Sequence, residues 1–195
     1  MKKTIILIIF MAAIFSIVSY GMNGQQEQMV DFVYERDAED VSKIIYDDWN
    51  WIFPHEDIKN WEKALSKELW EKNRAGELYI KVLRYNECTV GLVSFHKKNA
   101  DVGRIRIVSI ASAFRGKGYA KKLITAVLND LFDLGCTSAY LFTHKDNKKV
   151  CTYESLGFKK AAKSQDDLAW FESASISADD YPRYVVTKET FGPFK

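Results

Sequence analysis

One short stretch of this 195-residue chain has the composition of an anion-binding loop. Its sequence is Arg115-Gly116-Lys117-Gly118-Tyr119-Ala120. Glycine adopts positive φ at no steric cost and lets a ligand approach the backbone without a Cβ in the way. Arg115 and Lys117 add positive charge at the same place. These residue types predict a site for a phosphate or pyrophosphate group.

The segments on either side explain how this stretch would be positioned. Upstream, the β-branched residues between Ile105 and Ile110 predict a strand. Downstream, apolar residues recur at the spacing of one helix face, and Gly135 ends that helix. These apolar residues are Ala120, Leu123, Ile124, Val127, Leu128, Leu131 and Phe132. The glycines therefore lie at a strand-to-helix turn, where the helix dipole and free N–H groups favour an anion.

Two other glycine-rich phosphate sites fit the sequence less well. A Walker loop needs Ser or Thr after Gly-Lys to hold magnesium, whereas Tyr119 follows Gly118. A dinucleotide fingerprint needs three glycines and an acidic residue about 20 positions further on. Only two glycines are present in this stretch.

The pattern that does fit is Arg-x-x-Gly-x-Ala, which resembles the coenzyme A loop of the GCN5-related N-acetyltransferase (GNAT) family. A second motif follows at the right distance. The segment from Tyr153 to Phe158 is similar to the Tyr-Glu-x-x-Gly-Phe sequence that closes the second half of that family's cofactor site. The combination of the two motifs is specific.

The resemblance implies a mixed α/β fold, in which a twisted sheet of six to seven strands has helices on both faces. The pattern of secondary-structure elements in the sequence agrees with this fold. It predicts a first strand over Val30–Glu35, a helix with Asp37 as N-cap, and a second helix over Glu56–Lys72. A hairpin about Asn86-Glu87 follows. The stretch Lys163–Arg183 is predicted to be an irregular surface excursion.

The resemblance also implies the activity and its site. Acetyl-CoA would be the co-substrate, and the acceptor would be the amine of a small molecule, a peptide or a protein. Tyr153 would be the general acid; the alternative is that it only packs the short helix that contains it. The implied cofactor-binding residues are Val108, Ser109, Ile110, Arg115, Gly116, Lys117, Gly118, Tyr119, Ala120, Asp146 and Asn147. Within this set, the N–H of Ile110 is expected to hold the thioester carbonyl.

One position departs from the family pattern, and the role of general base has no clear candidate. The family has an asparagine seven residues before the tyrosine, where this chain has Asp146, with Asn147 one residue later. Either the loop is shifted by one residue or the contact is altered. No general base is evident: His96 and Glu56 could both face the acceptor, yet charged residues at element ends are usually surface groups. The three histidines have no spacing that indicates a metal site.

The N-terminus predicts export. A basic start at Lys2 and Lys3, an apolar run and small residues near Gly21 describe a signal peptide over 1–21. A linker over 22–29 and a single domain over 30–195 would follow, placing the protein in the periplasm or outside the cell. The alternative is an uncleaved membrane anchor, although the run is shorter than the ~20 residues that span a bilayer.

The charge and the cysteine content of the chain bear on two other features, nucleic-acid binding and disulfide bonds. Without the two leader lysines, the 28 basic residues become 26, equal to the 26 acidic ones. A neutral domain gives no electrostatic reason to expect nucleic-acid binding. An odd number of cysteines, three, does not indicate a disulfide framework, and all three are expected to be buried. Because acetyl-CoA is a cytosolic metabolite, a non-catalytic acyl-CoA or protein-binding module remains the alternative function.

Overall fold

A seven-stranded mixed sheet forms the centre of the fold, with the strand order β1-β2-β3-β4-β5-β7-β6. The computed structural model describes residues 27–49, 71–72 and 78–192. The strands are β1 (Glu27–Asp31), β2 (Tyr79–Tyr85), β3 (Cys88–Lys97), β4 (Val102–Ile110), β5 (Ser138–Phe142), β6 (Lys159–Ala161) and β7 (Arg183–Thr187). The helices are α1 (Tyr34–Asp47), α2 (Tyr119–Asp133), α3 (Val150–Glu154) and α4 (Gln165–Ser173). The predicted fold class is confirmed.

Most of the predicted order of elements is also present. The hairpin turns at Asn86 and Glu87, whose φ angles of 47° and 70° are those of a tight turn between β2 and β3. The first strand is shifted from its predicted place and ends at Asp31, where it pairs with Lys81 of β2. The predicted leader and most of the predicted second helix lie outside the described residues, as does Glu56.

The two faces of the sheet have different cores. On the face covered by α2, one apolar cluster runs from Leu83 and Val93 across the sheet to Leu141 and Val186. On the face covered by α1, the described cluster reaches Ile107 of β4 and includes no residue of β5, β6 or β7. We call these the α2 face and the α1 face. The α2 face therefore has a core continuous across the sheet, whereas the described α1-face core stops at β4.

Asp37 has a different role from the predicted N-cap. Val33 is the N-cap of α1, and Asp37 is fully buried in the first turn of the helix. One of its carboxylate oxygens accepts from the Val33 N–H at 2.8 Å, and the other is 2.7 Å from the Arg84 guanidinium and 2.8 Å from the Thr89 hydroxyl. Burial alone would raise the pKa of Asp37, but hydrogen bonds from Arg36, Val33 and Thr89 hold it below its usual value. The carboxylate thus connects α1 to the β2–β3 hairpin.

The prediction of an irregular stretch over Lys163–Arg183 is wrong, because it contains α4. Ser164 caps this helix in a capping box: its hydroxyl accepts from the Asp167 N–H, and the Asp167 carboxylate accepts from the Ser164 N–H. The apolar face of the helix is narrow, and Phe171 is its one deeply buried apolar side chain. Phe171 packs against Phe142 on the α1 face, with 5.0 Å between the ring centroids. The helix therefore covers the sheet beyond α1.

Three further observations concern the described residues. Cys88 and Cys151 are exposed and Cys136 is buried, so the prediction of three buried thiols is correct only for Cys136. No group of three or more His, Cys, Asp or Glu side chains in the described ranges is arranged to hold a metal ion. None of the helices in this part of the chain is both long enough and apolar enough to cross a membrane.

Candidate functional site: a cleft between two parallel strands

The central feature of the site is the divergence of β4 and β5. These parallel strands pair only at Val102–Ser138, Gly103–Ala139 and Arg104–Tyr140. Beyond that point β4 continues to Ile110 along β3, while β5 continues to Phe142 along β7. A cleft therefore opens between two neighbouring strands of one sheet.

Backbone groups of β4 line this cleft. The Ala111 N–H donates to the Val90 carbonyl on β3 at 2.9 Å. Successive N–H groups along a strand point to opposite sides, so the N–H groups of Val108 and Ile110 point away from β3. That direction faces the cleft, where β5 has no registered partner for them. Val108 lies deeper in the cleft and Ile110 nearer to its mouth.

The glycine turn stands at the mouth of the cleft. Gly116 and Gly118 have φ angles of 79° and 80°, and a Cβ added at either would meet no atom within 4 Å. Gly118 is the N-cap of α2 and provides no side chain, and the first turn of the helix contains no acidic residue. The first intrahelical bond runs from the Lys122 N–H to the Gly118 carbonyl, so the N–H groups of Tyr119 and Ala120 precede this ladder. The turn thus combines open space with the positive end of a helix dipole, which suits a pyrophosphate.

Arg115 and Ser109 both face the protein and not the open turn. The Arg115 Nε donates to the Ile110 carbonyl at 2.8 Å, and its Nη2 donates to the Asp48 carboxylate at 2.7 Å. The Ser109 hydroxyl, on the α1 face, also donates to Asp48. The side chain of Asp48, at the end of α1, therefore holds the strand and the turn together. Lys117 lies over the Phe114 ring, with 5.0 Å between its Nζ and the ring centroid.

Tyr153 lies on α3 and packs against the α2-face core. Its phenol interacts with the side chains of Thr143 and Asn147, and the Asn147 Nδ2 donates to the Thr143 hydroxyl at 2.6 Å. Burial raises the pKa of the Tyr153 phenol above its ordinary value, although the two hydrogen bonds lower it. The phenol is therefore protonated at neutral pH and fixed in orientation, as a proton donor must be.

A model of the Acetyltransferase (GNAT) family matches residues 38–158, which include the strands of the cleft, the glycine turn and Tyr153. The chain belongs to this family. A curated relative, the mycothiol acetyltransferase of Corynebacterium efficiens, is 38% identical over 74 residues, which make up 36% of this chain and 25% of that protein. The match thus spans about a quarter of the relative's length.

Solved structures share the GNAT fold at low sequence identity. A putative acetyltransferase from Acinetobacter baylyi matches with a TM-score of 0.67 and 16% identity, covering 88% of this chain and 99% of that one. An N-acetyltransferase from Staphylococcus aureus gives a TM-score of 0.66 at 14% identity, covering 83% and 98%. PaiA N-acetyltransferase from Thermoplasma acidophilum, solved in complex with coenzyme A, gives 0.62 at 11% identity, covering 83% and 99%.

The two candidates for the GNAT asparagine are placed differently. Asp146 is an exposed side chain whose carboxylate lies 3.6 Å from the His144 imidazole. Asn147 is in contact with Thr143 and Tyr153, as described above. This geometry favours a loop shifted by one residue, with Asn147 in place of Asp146. Thr143 and Asp48 were not predicted, because neither belongs to a motif. Asp48 in addition gains its role from Ser109 and Arg115, which are more than 60 residues away in sequence.

His96 is a weak base where it lies. It is the residue opposite Arg104 in the β3–β4 ladder. Burial, together with the positive charges of Arg106, Arg104 and Lys98, lowers the pKa of His96 from 6.5 to about 4. The imidazole is therefore neutral at pH 7, but it accepts a proton less readily than an ordinary histidine does. The other predicted base, Glu56, lies outside the described residues.

This low pKa predicts an acid-dependent loss of stability that involves His96. Between pH 6.5 and about pH 4 the unfolded chain binds a proton at this residue and the folded protein does not, so stability falls as the pH is lowered through this range. The loss is at most about 3 kcal/mol, and partial exposure reduces it. We expect urea unfolding at pH 7.5 and 4.5 to show a smaller difference in His96→Gln than in the unaltered protein. Equal differences in the two proteins would contradict the assignment.

Proposed function

We propose that this protein is an N-acetyltransferase that moves an acetyl group from acetyl-CoA to a primary amine by direct attack in a ternary complex. The observation that supports this most strongly is the cleft between β4 and β5, which leads to the uncapped N-terminus of α2. Gly116, Gly118, Tyr119 and Ala120 would hold the pyrophosphate. The N–H of Ile110, or that of Val108 deeper in the cleft, would polarise the carbonyl of the thioester.

Acetyl-CoA supplies an activated acyl group with a thiolate as the leaving group. Reaction with an amine then needs alignment, stabilisation of the oxyanion and two proton movements. The amine nitrogen forms the new C–N bond, the C–S bond breaks, and the Tyr153 hydroxyl provides the proton that the sulfur takes up. The proton that the nitrogen loses passes to water, and the Tyr153 phenolate recovers a proton from water. Asn147 and Thr143 would keep the phenol in place for this transfer. Arg115 and Asp48 would keep the turn and β4 in register while the cofactor is bound.

Two measurements test the proposal. Calorimetric titration with acetyl-CoA should show binding at one site per chain with a micromolar Kd. A screen of small amines, peptides and lysine-containing proteins should then show release of the free thiol that depends on the acceptor. Binding without thiol release over the whole screen would favour a non-catalytic acyl-CoA-binding module. Absence of acetyl-CoA binding by the folded protein would exclude both functions.

A further inference from the structure

A second polar cluster lies on the α1 face, at the closed end of the cleft. Its central residue is Arg104, which forms the last registered pair between β4 and β5. The guanidinium carbon lies 5.8 Å from the ring centroid of Tyr140, 5.2 Å from that of Phe142 and 5.1 Å from that of Trp170. Three aromatic rings from β5 and α4 thus hold the guanidinium in place.

No described carboxylate forms an ion pair with Arg104, because no carboxylate oxygen lies within 4.0 Å of it, and its Nε is buried without a hydrogen-bond partner. Its guanidinium does interact with the Tyr140 hydroxyl, and the more distant charge of Asp167 attracts it. The Nε of the neighbouring Arg183 also lacks a hydrogen bond, but it lies 3.6 Å from the Asp167 carboxylate, and the Nη1 of Arg183 donates to the Ala162 carbonyl at 3.0 Å. A partly buried cation without a close carboxylate is stabilised by a bound anion. The guanidinium N–H groups that do not interact with Tyr140 are therefore available to an anion.

Arg106 adds a second positive charge beside the first. Ser94 pairs with Ile107 and Phe95 pairs with Ile105, so Arg106 is the extra residue of a β-bulge. Its side chain is exposed, and its charge, with that of Arg104, acts on His96 across the ladder. Lys98 is also close, but it lies 3.9 Å from Asp166. The positive potential here is therefore centred on the two arginines of β4.

A buried hydroxyl lies on the same face. Ser94 stands two residues before His96 on β3, so the two side chains share a face. Ser94 is completely buried, and its hydroxyl has no hydrogen-bond partner among the described residues. Buried hydroxyls are normally paired, so this one is available to a ligand or to a bound water.

The position of the cluster relates it to the acceptor. On the α2 face the core is continuous across the cleft, and Tyr153 packs against it. On the α1 face, the described core stops at Ile107. An acceptor held by the arginines would therefore lie on the α1 face, between the core under α1 and the helix α4.

We propose that Arg104 and Arg106 bind a carboxylate of the acceptor, so that this transferase acts on amines that also carry a carboxylate group. This inference rests on the proposed acetyltransferase function. The planar fork of arginine matches a carboxylate in two-point geometry, and the aromatic rings orient that fork before the ligand arrives.

Strand geometry also sets the length of the acceptor. Val108, the nearer of the two residues proposed to hold the thioester carbonyl, is two residues from Arg106 and four from Arg104, and Ile110 is two residues further from each. At about 3.3 Å per residue the shorter separations are already about 7 Å and about 13 Å. An α-amino acid is too short to place its amine at the thioester and its carboxylate at Arg104. The geometry selects amines separated from the carboxylate by several bonds, as in the side chain of a diamino acid or in a short peptide.

A series of straight-chain ω-amino acids tests both charge and length. Each acid, from three to eight carbons, is compared with its own amide by release of the free thiol from acetyl-CoA at constant ionic strength. We expect kcat/KM to be on the order of tenfold or more higher for the acid than for the amide, with an optimum at intermediate length. Dipeptides with free and amidated C-termini, run in parallel, distinguish a peptide acceptor from a free amino acid.

Variants assign the effect to the arginines. Arg104→Gln should lower the ratio of kcat/KM for each acid to kcat/KM for its amide to about one, while leaving the Kd for acetyl-CoA within about twofold of the original value. Arg104→Lys should retain part of the preference, because it keeps the charge but loses the planar fork. Lys160→Gln, which removes one exposed positive charge from β6, is the matched control and should change nothing.

A binding measurement separates this inference from the proposed function. Linear dicarboxylates of the same lengths are titrated into the cofactor-free protein, and the NMR signals of the His96 imidazole report occupancy. Binding by the unaltered protein and its loss in Arg104→Gln support the site even if no amine is acetylated. Equal kcat/KM for acids and amides, or dicarboxylate binding that Arg104→Gln does not weaken, would overturn it.

Discussion

Gly118→Glu is expected to abolish the binding of acetyl-CoA while the protein stays folded. A Cβ at this position meets no atom within 4 Å, so the new carboxylate fits, but it projects into the space beside the N–H groups that open α2. Repulsion between this carboxylate and a phosphate charge about 4 Å away makes the free energy of binding less favourable by about 4 kcal/mol at an effective dielectric constant of 20. Calorimetry should therefore show a rise in Kd on the order of a hundredfold or more.

The same substitution at Gly135 is the matched control. Gly135 has a φ of 91°, its Cβ position is equally open, and it follows the C-terminus of α2. The 15-residue helix that separates the two glycines is about 22 Å long. Both substitutions place a side chain in the left-handed region, at about 1–2 kcal/mol of stability. If Gly135→Glu weakened acetyl-CoA binding as much as Gly118→Glu does, the turn would not be the phosphate site.

Tyr153→Phe is expected to lower kcat about a hundredfold or more with the best acceptor, because it removes the proton donor for the departing thiolate. The Kd for acetyl-CoA should change little, since the proposed pyrophosphate contacts are at the other end of the cofactor. Burial raises the pKa of Tyr153, so the original enzyme should lose this acid only at a higher pH than an ordinary tyrosine would. Steady-state rates over pH 6–10 give kcat and the pH above which the acid is lost.

A comparison with Thr143→Val separates catalysis from packing. That variant deletes one hydrogen-bond partner of the phenol but leaves the phenol itself, so its kcat should fall far less than that of Tyr153→Phe. If Tyr153 only packs α3 against the core, both variants should lower the melting temperature slightly. In that case the kcat of Tyr153→Phe would remain within about threefold of the original, and the role of general acid would be ruled out.

Local signals in the sequence were sufficient for the glycine turn and for α2. Glycine at Gly116 and Gly118, together with the helical spacing that begins at Ala120, predicts a strand-to-helix turn with no knowledge of the rest of the chain. The Asn86–Glu87 hairpin was found in the same way, because both residues must tolerate positive φ. These features depend on neighbouring residues, which a sequence displays directly.

Features that depend on distant residues were missed. Arg104 lies between Gly103 and Ile105 in a strand, and the alternation of that strand gives its face but not its neighbours. Tyr140, Phe142 and Trp170 come from segments more than 30 positions away.

The helix α4 is a different case, because a local signal for it was present. Ser164 and Asp167 form a Ser-x-x-Asp capping pattern. The helix was not predicted because its apolar face around Phe171 is narrow and most of its residues are polar.

The short pairing of β4 with β5 has a consequence for folding cooperativity. Among the described residues, β1–β4 are joined to β5–β7 mainly by three residue pairs, by the α2-face core and by the contacts of Arg104 with β5 and α4. Such a sheet consists of two partly independent folding units that share α2, and its amide protons should be least protected along the inner edges of the cleft. A ligand with its own amide groups, inserted between those edges, acts as a removable eighth strand: it couples the two units while it is bound and releases them when it leaves.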